Sequence, residues 1–190
     1  MKKLVQILLV VCMMLISMQV VFANAEKVTV MDGADLTSIH RLAIAAPQYT
    51  PLKNGPDKAA FTSVLYNASS VARMYVVSKD DMEKDILRDA SVDVNTLDKK
   101  EANKVFKENI AKYADAYVVA TVANNSRVVC FYDVYKAGTN ELLYSYQIVA
   151  NGSDADTVAT YMALTQQFYK NFDRSAQKQL KDNEKGAKQK

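Results

Sequence analysis

The stretch AYVVATVANNSRVVCFYDVYKAGTNELLYSYQIV, from Ala116 to Val149, decides the fold. β-Branched and aromatic residues dominate three runs, and two short polar segments, NNS and KAGTN, separate them. Asparagine and glycine tolerate the backbone angles of tight turns. The pattern therefore predicts a three-stranded antiparallel meander over about residues 117–149.

The faces of this meander predict how it is covered. In the first two runs both alternating faces are rather apolar, which is typical of strands buried on two sides. A segment with helical spacing follows the meander, and Val158, Met162, Phe168 and Phe172 lie on one of its stripes. We therefore expect a long carboxyl-terminal helix and earlier helices to pack on the sheet.

The residues before the meander alternate between strand and helix signals. Short apolar runs begin at Arg41 and at Met74, and a segment with helical spacing follows each of them. Ser78 and Asp81 resemble the capping box that begins a helix. This order predicts an α/β (α+β) fold, a two- or three-layer sandwich built on a mixed sheet.

The amino terminus has the parts of a secretory signal peptide. Lys2 and Lys3 precede an apolar run over residues 4–22, and Ala23 and Ala25 supply small residues at the cleavage positions. We predict a signal peptide over residues 1–25 and export to the periplasm or the exterior. The alternative is an uncleaved membrane anchor, because the apolar run is nearly long enough to span a bilayer.

The length and charge of the chain indicate its domain organisation and limit the partners it could bind. Cleavage would leave one α/β domain over residues 26–176 and a charged, frayed tail over residues 177–190. The tail is either a solvated helix end or a weak tether to an anionic surface. The chain has 24 basic and 21 acidic residues, and two of the basic ones leave with the leader. A nearly neutral mature chain gives no indication of nucleic-acid binding.

Cysteine usage indicates a fold that is stable without disulfides. Only Cys130 remains after cleavage, so no intramolecular disulfide can form. It lies within a predicted strand, where a buried structural thiol is the expected state. A catalytic thiol would need a base nearby. The sequence does not place His40, which is the one imidazole in the chain, near Cys130.

Several segments resemble small α/β domains of bacterial envelope proteins. RLAIAAP from Arg41, YADAYVVATV from Tyr113 and VVCFYDVYKAGTNELLYSY from Val128 are similar, in element order, to the TolB amino-terminal domain, LpoB and CsgG. The DVYKAGT segment, Asp133–Thr139, matches their strand-and-turn signature with the last glycine and threonine transposed. The resemblance covers about residues 41–172 and implies docking onto envelope protein partners rather than catalysis.

Asp133 and three tyrosines are the candidate partner-binding residues. An acid in an otherwise apolar strand must find a hydrogen-bond donor or face water. Asp133 could accept N–H groups of the following turn, or it could be a recognition charge on a tyrosine-rich surface with Tyr135, Tyr144 and Tyr146. Tyrosines also fill sheets well, so packing inside the protein is the alternative for them.

The candidates for metal binding or acid–base catalysis are Asp81, Asp85 and His40. The two acids lie on one helix side and could bind a hard cation or act as acid and base, although acids also stabilise a helix start. No phosphate-binding glycine loop, nucleophile elbow or zinc spacing appears in the sequence.

We therefore expect an exported, non-enzymatic protein without a cofactor, accessory to envelope assembly or maintenance and acting by protein–protein docking. The alternative is a small-molecule or metal-binding module, or a hydrolase, that uses Asp81, Asp85 or His40.

Overall fold

The structure is a computed structural model that describes residues 26–52, 55–124, 127–151 and 156–187. The predicted signal peptide lies outside these residues, and so does part of the predicted turn after Asn124. Across these ranges, the helices are too short or too polar for any of them to span a bilayer.

The described residues form one mixed sheet of six strands. Its strands are β1 (Glu26–Val30), β2 (Arg41–Ile44), β3 (Tyr75–Val77), β4 (Ala116–Asn124), β5 (Val128–Lys136) and β6 (Leu142–Val149). Their order across the sheet is β1-β6-β5-β4-β2-β3. β2 runs parallel to β3 and β4, and the other neighbours are antiparallel. The predicted mixed sheet with its β4–β5–β6 meander is confirmed.

Four α-helices connect or follow these strands in the described ranges. They are α1 (Lys58–Asn67), α2 (Lys79–Ala90), α3 (Lys99–Asn109) and α4 (Val158–Ala187). The side chains of Asp57, Ser78 and Asp98 accept hydrogen bonds from amides in the first turns of α1, α2 and α3. Ser78 also donates to the Asp81 carboxylate at 2.8 Å, so the predicted cap is present.

Helices α1 and α4 cover one face of the sheet with an aromatic core. Every second residue of the meander points into it, as strand geometry requires. The Tyr132 ring stacks on Phe168, and the Tyr144 ring meets Phe172 edge-on with centroids 5.1 Å apart. These four rings are among the largest fully buried side chains, as are Tyr146, Tyr161 and Tyr169.

Helices α2 and α3 cover only half of the opposite face. Their apolar side chains pack on Ala43, Val77 and Tyr117, from β2, β3 and β4. No described residue of β6 or β1 belongs to this second cluster, and β5 contributes only Tyr135 and the adjoining Ala137. The sandwich therefore has three layers over β2, β3 and β4, and two layers over most of β5, β6 and β1.

Helix α4 continues into the segment that the sequence predicts to be a charged tail. It is helical as far as Ala187. Gln179 bonds to the loop after β1, accepting from the Leu36 amide at 2.8 Å and donating to the Ala34 carbonyl. The helix turn around Gln179, at the start of this segment, is therefore hydrogen-bonded to the domain.

Candidate functional site

The alternation of the sheet separates the four residues predicted to bind a partner. Tyr144 and Tyr146 lie under α4, and each is 0 % exposed. Asp133 and Tyr135 lie on the opposite face and are half-buried. Neither tyrosine side chain is therefore exposed beside Asp133, because both point into the aromatic core.

Asp133 lies in the middle of the sheet rather than against the turn after β5. It is aligned with Ser145 on β6, and the Ser145 hydroxyl donates to its Oδ1 at 2.6 Å. The turn is closed by backbone bonds instead, from Lys136 N–H to the Glu141 carbonyl and from Asn140 N–H to the Lys136 carbonyl. A carboxylate can accept about four hydrogen bonds. Asp133 therefore keeps acceptor capacity for an outside donor.

The side chains around Asp133 form a surface that we term the open face. They lie on β5, β6 and β1 on the side away from α4, are half-exposed, and belong to neither buried cluster of the described residues: Thr29, Val129, Phe131, Asp133, Ser145, Gln147 and Val149. It contains both apolar and polar groups, with Val129 beside Val149 and Asp133 beside Ser145. This mixture is typical of non-obligate protein interfaces.

A cleft borders the open face where α2 and α3 approach β4 and β5. Its volume is about 550 Å³, and Tyr117, Val119 and Tyr135 form its floor. The two tyrosine rings stack with centroids 5.4 Å apart and planes inclined by 20°. The Tyr117 hydroxyl donates to Asn140 Oδ1 at 2.8 Å.

Burial raises the pKa of both tyrosines of the floor above the usual value of about 10. It raises the pKa of Tyr117 to about 12, with a smaller contribution from Tyr135. It also raises the pKa of Tyr135, to which the Asp133 charge adds. The Tyr135 hydroxyl can therefore act as a hydrogen-bond donor, whereas the Tyr117 hydroxyl already donates its proton to Asn140.

Lysines surround this cleft, which we term the lysine cleft. Its described lining includes the side chains of Lys58, Lys79, Lys99 and Lys107, and one acid, Glu83. Glu83 forms an ion pair with Lys79. This set was not predicted, because the lysines belong to three different helices that meet only in the fold. A usable signal was the lysine that begins α1, α2 and α3, since cations are disfavoured at a helix amino end.

The three residues considered for metal binding or catalysis make local contacts within the fold. Asp81 belongs to the cap of α2, and Asp85 pairs with Arg88 at 2.6 Å. His40 is exposed, and its backbone N–H donates to the Asp115 carboxylate at 2.9 Å. Among the described residues, no three His, Cys, Asp or Glu side chains are grouped so that they could hold a metal ion.

Cys130 is a core residue. Its side chain is 1 % exposed, and burial raises the pKa of the thiol to about 12. A thiol in this state has almost no nucleophilic thiolate at neutral pH. The expected buried structural thiol is therefore what the structure contains.

Comparisons with known proteins give distant similarities in structure. No family model and no curated protein matches this chain. The LpoB C-terminal domain from Escherichia coli has a TM-score of 0.46 at 14% identity, over 64% of this chain and 87% of that one. Its Salmonella enterica counterpart has a TM-score of 0.41 at 13% identity, over 63% of this chain and 86% of that one.

A further similarity is to a PelC dodecamer from Paraburkholderia phytofirmans. Its TM-score is 0.41 at 9% identity, over 75% of this chain and 94% of that one. Because all three TM-scores lie below 0.5, we base the function below on this chain's own residues. The resemblance to TolB and CsgG stays a prediction.

Proposed function

We propose that this protein is exported and acts in the cell envelope by docking onto a protein partner through the open face. Export rests on the leader-like sequence of residues 1–25. Docking rests on one observation. Half of one sheet face, with Phe131 and Asp133 at its middle, has no described layer over it, whereas α4 covers the other face of the same strands.

The open face specifies the chemistry of the partner. Phe131, Val129 and Val149 provide apolar area that would be removed from water in a complex. Asp133 lies beside them with acceptor capacity beyond its bond to Ser145. A charged group that becomes buried needs a partner of opposite charge. The partner surface is therefore apolar, with one lysine or arginine placed against Asp133.

The edge of the sheet extends this surface. An interface of standard size uses about 20–30 residues a side, which is more than the open face contains. Among the described strands, β6 is the one partner of β1, so the outer backbone groups of β1 face away from the sheet. A partner that reaches over β1 can add backbone hydrogen bonds to the side-chain contacts.

Site-specific crosslinking followed by quantitative binding tests this proposal. A photoreactive residue at Gln147, in the full chain expressed in its own host, would capture the partner, and the same residue at Tyr66 on exposed α1 is the control. Binding would then be measured with the purified partner. We expect Asp133→Lys to weaken it by about tenfold or more, as for truncation of a buried charge pair.

Asp182→Lys on α4 is the matched control. It makes the same change in charge at an exposed site away from the open face, and we expect the affinity to stay within about twofold of wild type. Equal affinity of wild type and Asp133→Lys, or equal crosslinking from Gln147 and Tyr66, would reject the open face as the docking surface.

A further inference from the structure

We infer that the lysine cleft binds a small phosphorylated ligand that carries a sugar or planar ring. This site is distinct from the open face, and the inference does not depend on the docking proposal. It follows from the charge of the cleft, the type of its cationic groups, its floor and its size.

The charge of the cleft is unbalanced. Lys79 is neutralised by Glu83, but no described acid forms an ion pair with Lys58, Lys99 or Lys107. Like charges around one low-dielectric cavity repel each other and attract an anion.

The acids nearest in sequence to these lysines are engaged elsewhere. The Asp57 carboxylate accepts from the Ala60 amide at 2.7 Å. The Asp98 carboxylate accepts from the Lys100 and Glu101 amides at 2.8 and 2.9 Å. Both carboxylates cap their helices, and Glu108, next to Lys107, pairs with Lys104 at 3.8 Å. The three lysines are therefore open to an outside anion.

The cations of the cleft are compatible with a phosphate. Lysine binds phosphate as a point charge and does not require the planar geometry that arginine matches in carboxylates and phosphates alike. The described lining of the cleft contains four lysines and no arginine. Several ammonium groups around one cavity match a ligand with two or more negative charges.

The floor and the amides of the cleft suit the remainder of such a ligand. Tyr135 is half-exposed and is supported from below by its stack with Tyr117, so its outer face can pack against a ring. Asn140 accepts from Tyr117 through Oδ1, which leaves its NH₂ group as a donor. Asn95 and Asn103 add further polar groups to the lining.

The size of the cleft agrees with a small ligand. Its volume of about 550 Å³ lies inside the range of roughly 300–1,000 Å³ that is usual for ligand sites. This is enough room for a ring with one or two phosphates.

Calorimetric titration of the mature protein with three probes tests the inference. The probes are inorganic pyrophosphate, ADP and glucose 6-phosphate, which separate phosphate charge from a planar base and from a sugar. The cleft variant is K58Q/K99Q/K107Q, and the control variant is K178Q/K181Q/K185Q, with the same charge removed from exposed positions of α4.

We expect saturable binding of at least one ring-bearing probe. The cleft variant should bind it about tenfold or more weakly, since several charged hydrogen bonds are lost, and the control variant should bind within about twofold of wild type. Tyr135→Ala should weaken the ring-bearing probe but not pyrophosphate.

Three outcomes would overturn the inference. They are no saturable binding of any probe, an equal loss in both lysine variants, and a ring-bearing probe unaffected by Tyr135→Ala. Binding of the protein partner by the cleft variant is measured in parallel and is expected to be unchanged. The two proposals can therefore fail independently.

Discussion

Tyr132 of β5 and Phe168 of α4 stack almost parallel, with ring centroids 4.7 Å apart and planes inclined by 11°. Phe168 also contacts Tyr144, Tyr146 and Phe172 through ring pairs with centroids 6.3 Å apart. Phe168 therefore packs α4 against both β5 and β6.

Removing this ring should destabilise the domain strongly. Phe168→Ala deletes a fully buried aromatic side chain, and such changes cost about 3–5 kcal/mol through lost transfer energy and the remaining cavity. Urea unfolding followed by circular dichroism measures the effect. Leu180→Ala on the same helix is the control, because Leu180 is 49% exposed and its loss should cost at most about 0.5 kcal/mol. Similar costs at both positions would contradict the packing described.

The hydroxyl of Tyr132 should show coupling to Thr165. The two oxygens lie 2.9 Å apart, and both residues are buried. Tyr132→Phe leaves the Thr165 hydroxyl without this partner, which we expect to cost about 1–3 kcal/mol. Adding Thr165→Val should recover part of that loss because neither polar group then remains. Strictly additive effects in the double-mutant cycle would show that the hydroxyls do not interact.

The Cys130 thiol should be unreactive in the native protein. Its pKa is raised to about 12 by burial, whereas an unfolded cysteine ionises near pH 8.5. Alkylation by iodoacetamide at pH 8 should therefore require unfolding, and its rate should rise with urea. Mass spectrometry of the intact chain measures it. Rapid alkylation without denaturant would place the thiol at the surface.

Stability should fall in alkaline solution. Burial raises the pKa of Tyr117 and, with the Asp89 hydrogen bond, of Tyr113 to about 12, and it raises the pKa of Tyr132, Tyr144 and Tyr146 well above the usual 10. An unfolded tyrosine loses its proton first. The contribution of these tyrosines to the free energy of unfolding is therefore fully present below about pH 10. It is lost as the pH rises toward the pKa values of the folded state.

Tyrosinate absorbance and circular dichroism, followed together during an alkaline titration, check this dependence. The buried phenols should ionise only as the secondary structure is lost. Ionisation of every tyrosine before any loss of structure would contradict their placement in the core.

The meander was predictable because the residues that specify its strands and turns are adjacent in the sequence. The polar segments NNS and KAGTN predict turns, and the runs beside them are long and β-rich. Gly138 does adopt the left-handed conformation expected of it, with φ +84°. The cap at Ser78 was also readable, since both of its partners lie within one turn.

The coverage of the sheet was not predictable from the same runs. Both faces of β5 are rather apolar, so alternation alone could not show that Tyr132 is covered by α4 while Phe131 is left half-exposed. Edge strand β1 was missed because Glu26–Val30 is short and has only one partner, far away in sequence. The lysine cleft depends on three helix starts that meet only in the fold.

Glu26, the first residue after the predicted cleavage site, makes side-chain contacts with the domain. It begins β1, and its carboxylate accepts from the Tyr146 hydroxyl at 2.6 Å and from the Asn171 amide at 3.3 Å. If processing falls after Ala25, the new amino-terminal residue is itself an anchor of the outermost strand. Cleavage one residue later would then remove the carboxylate that ties β1 to Tyr146 and Asn171.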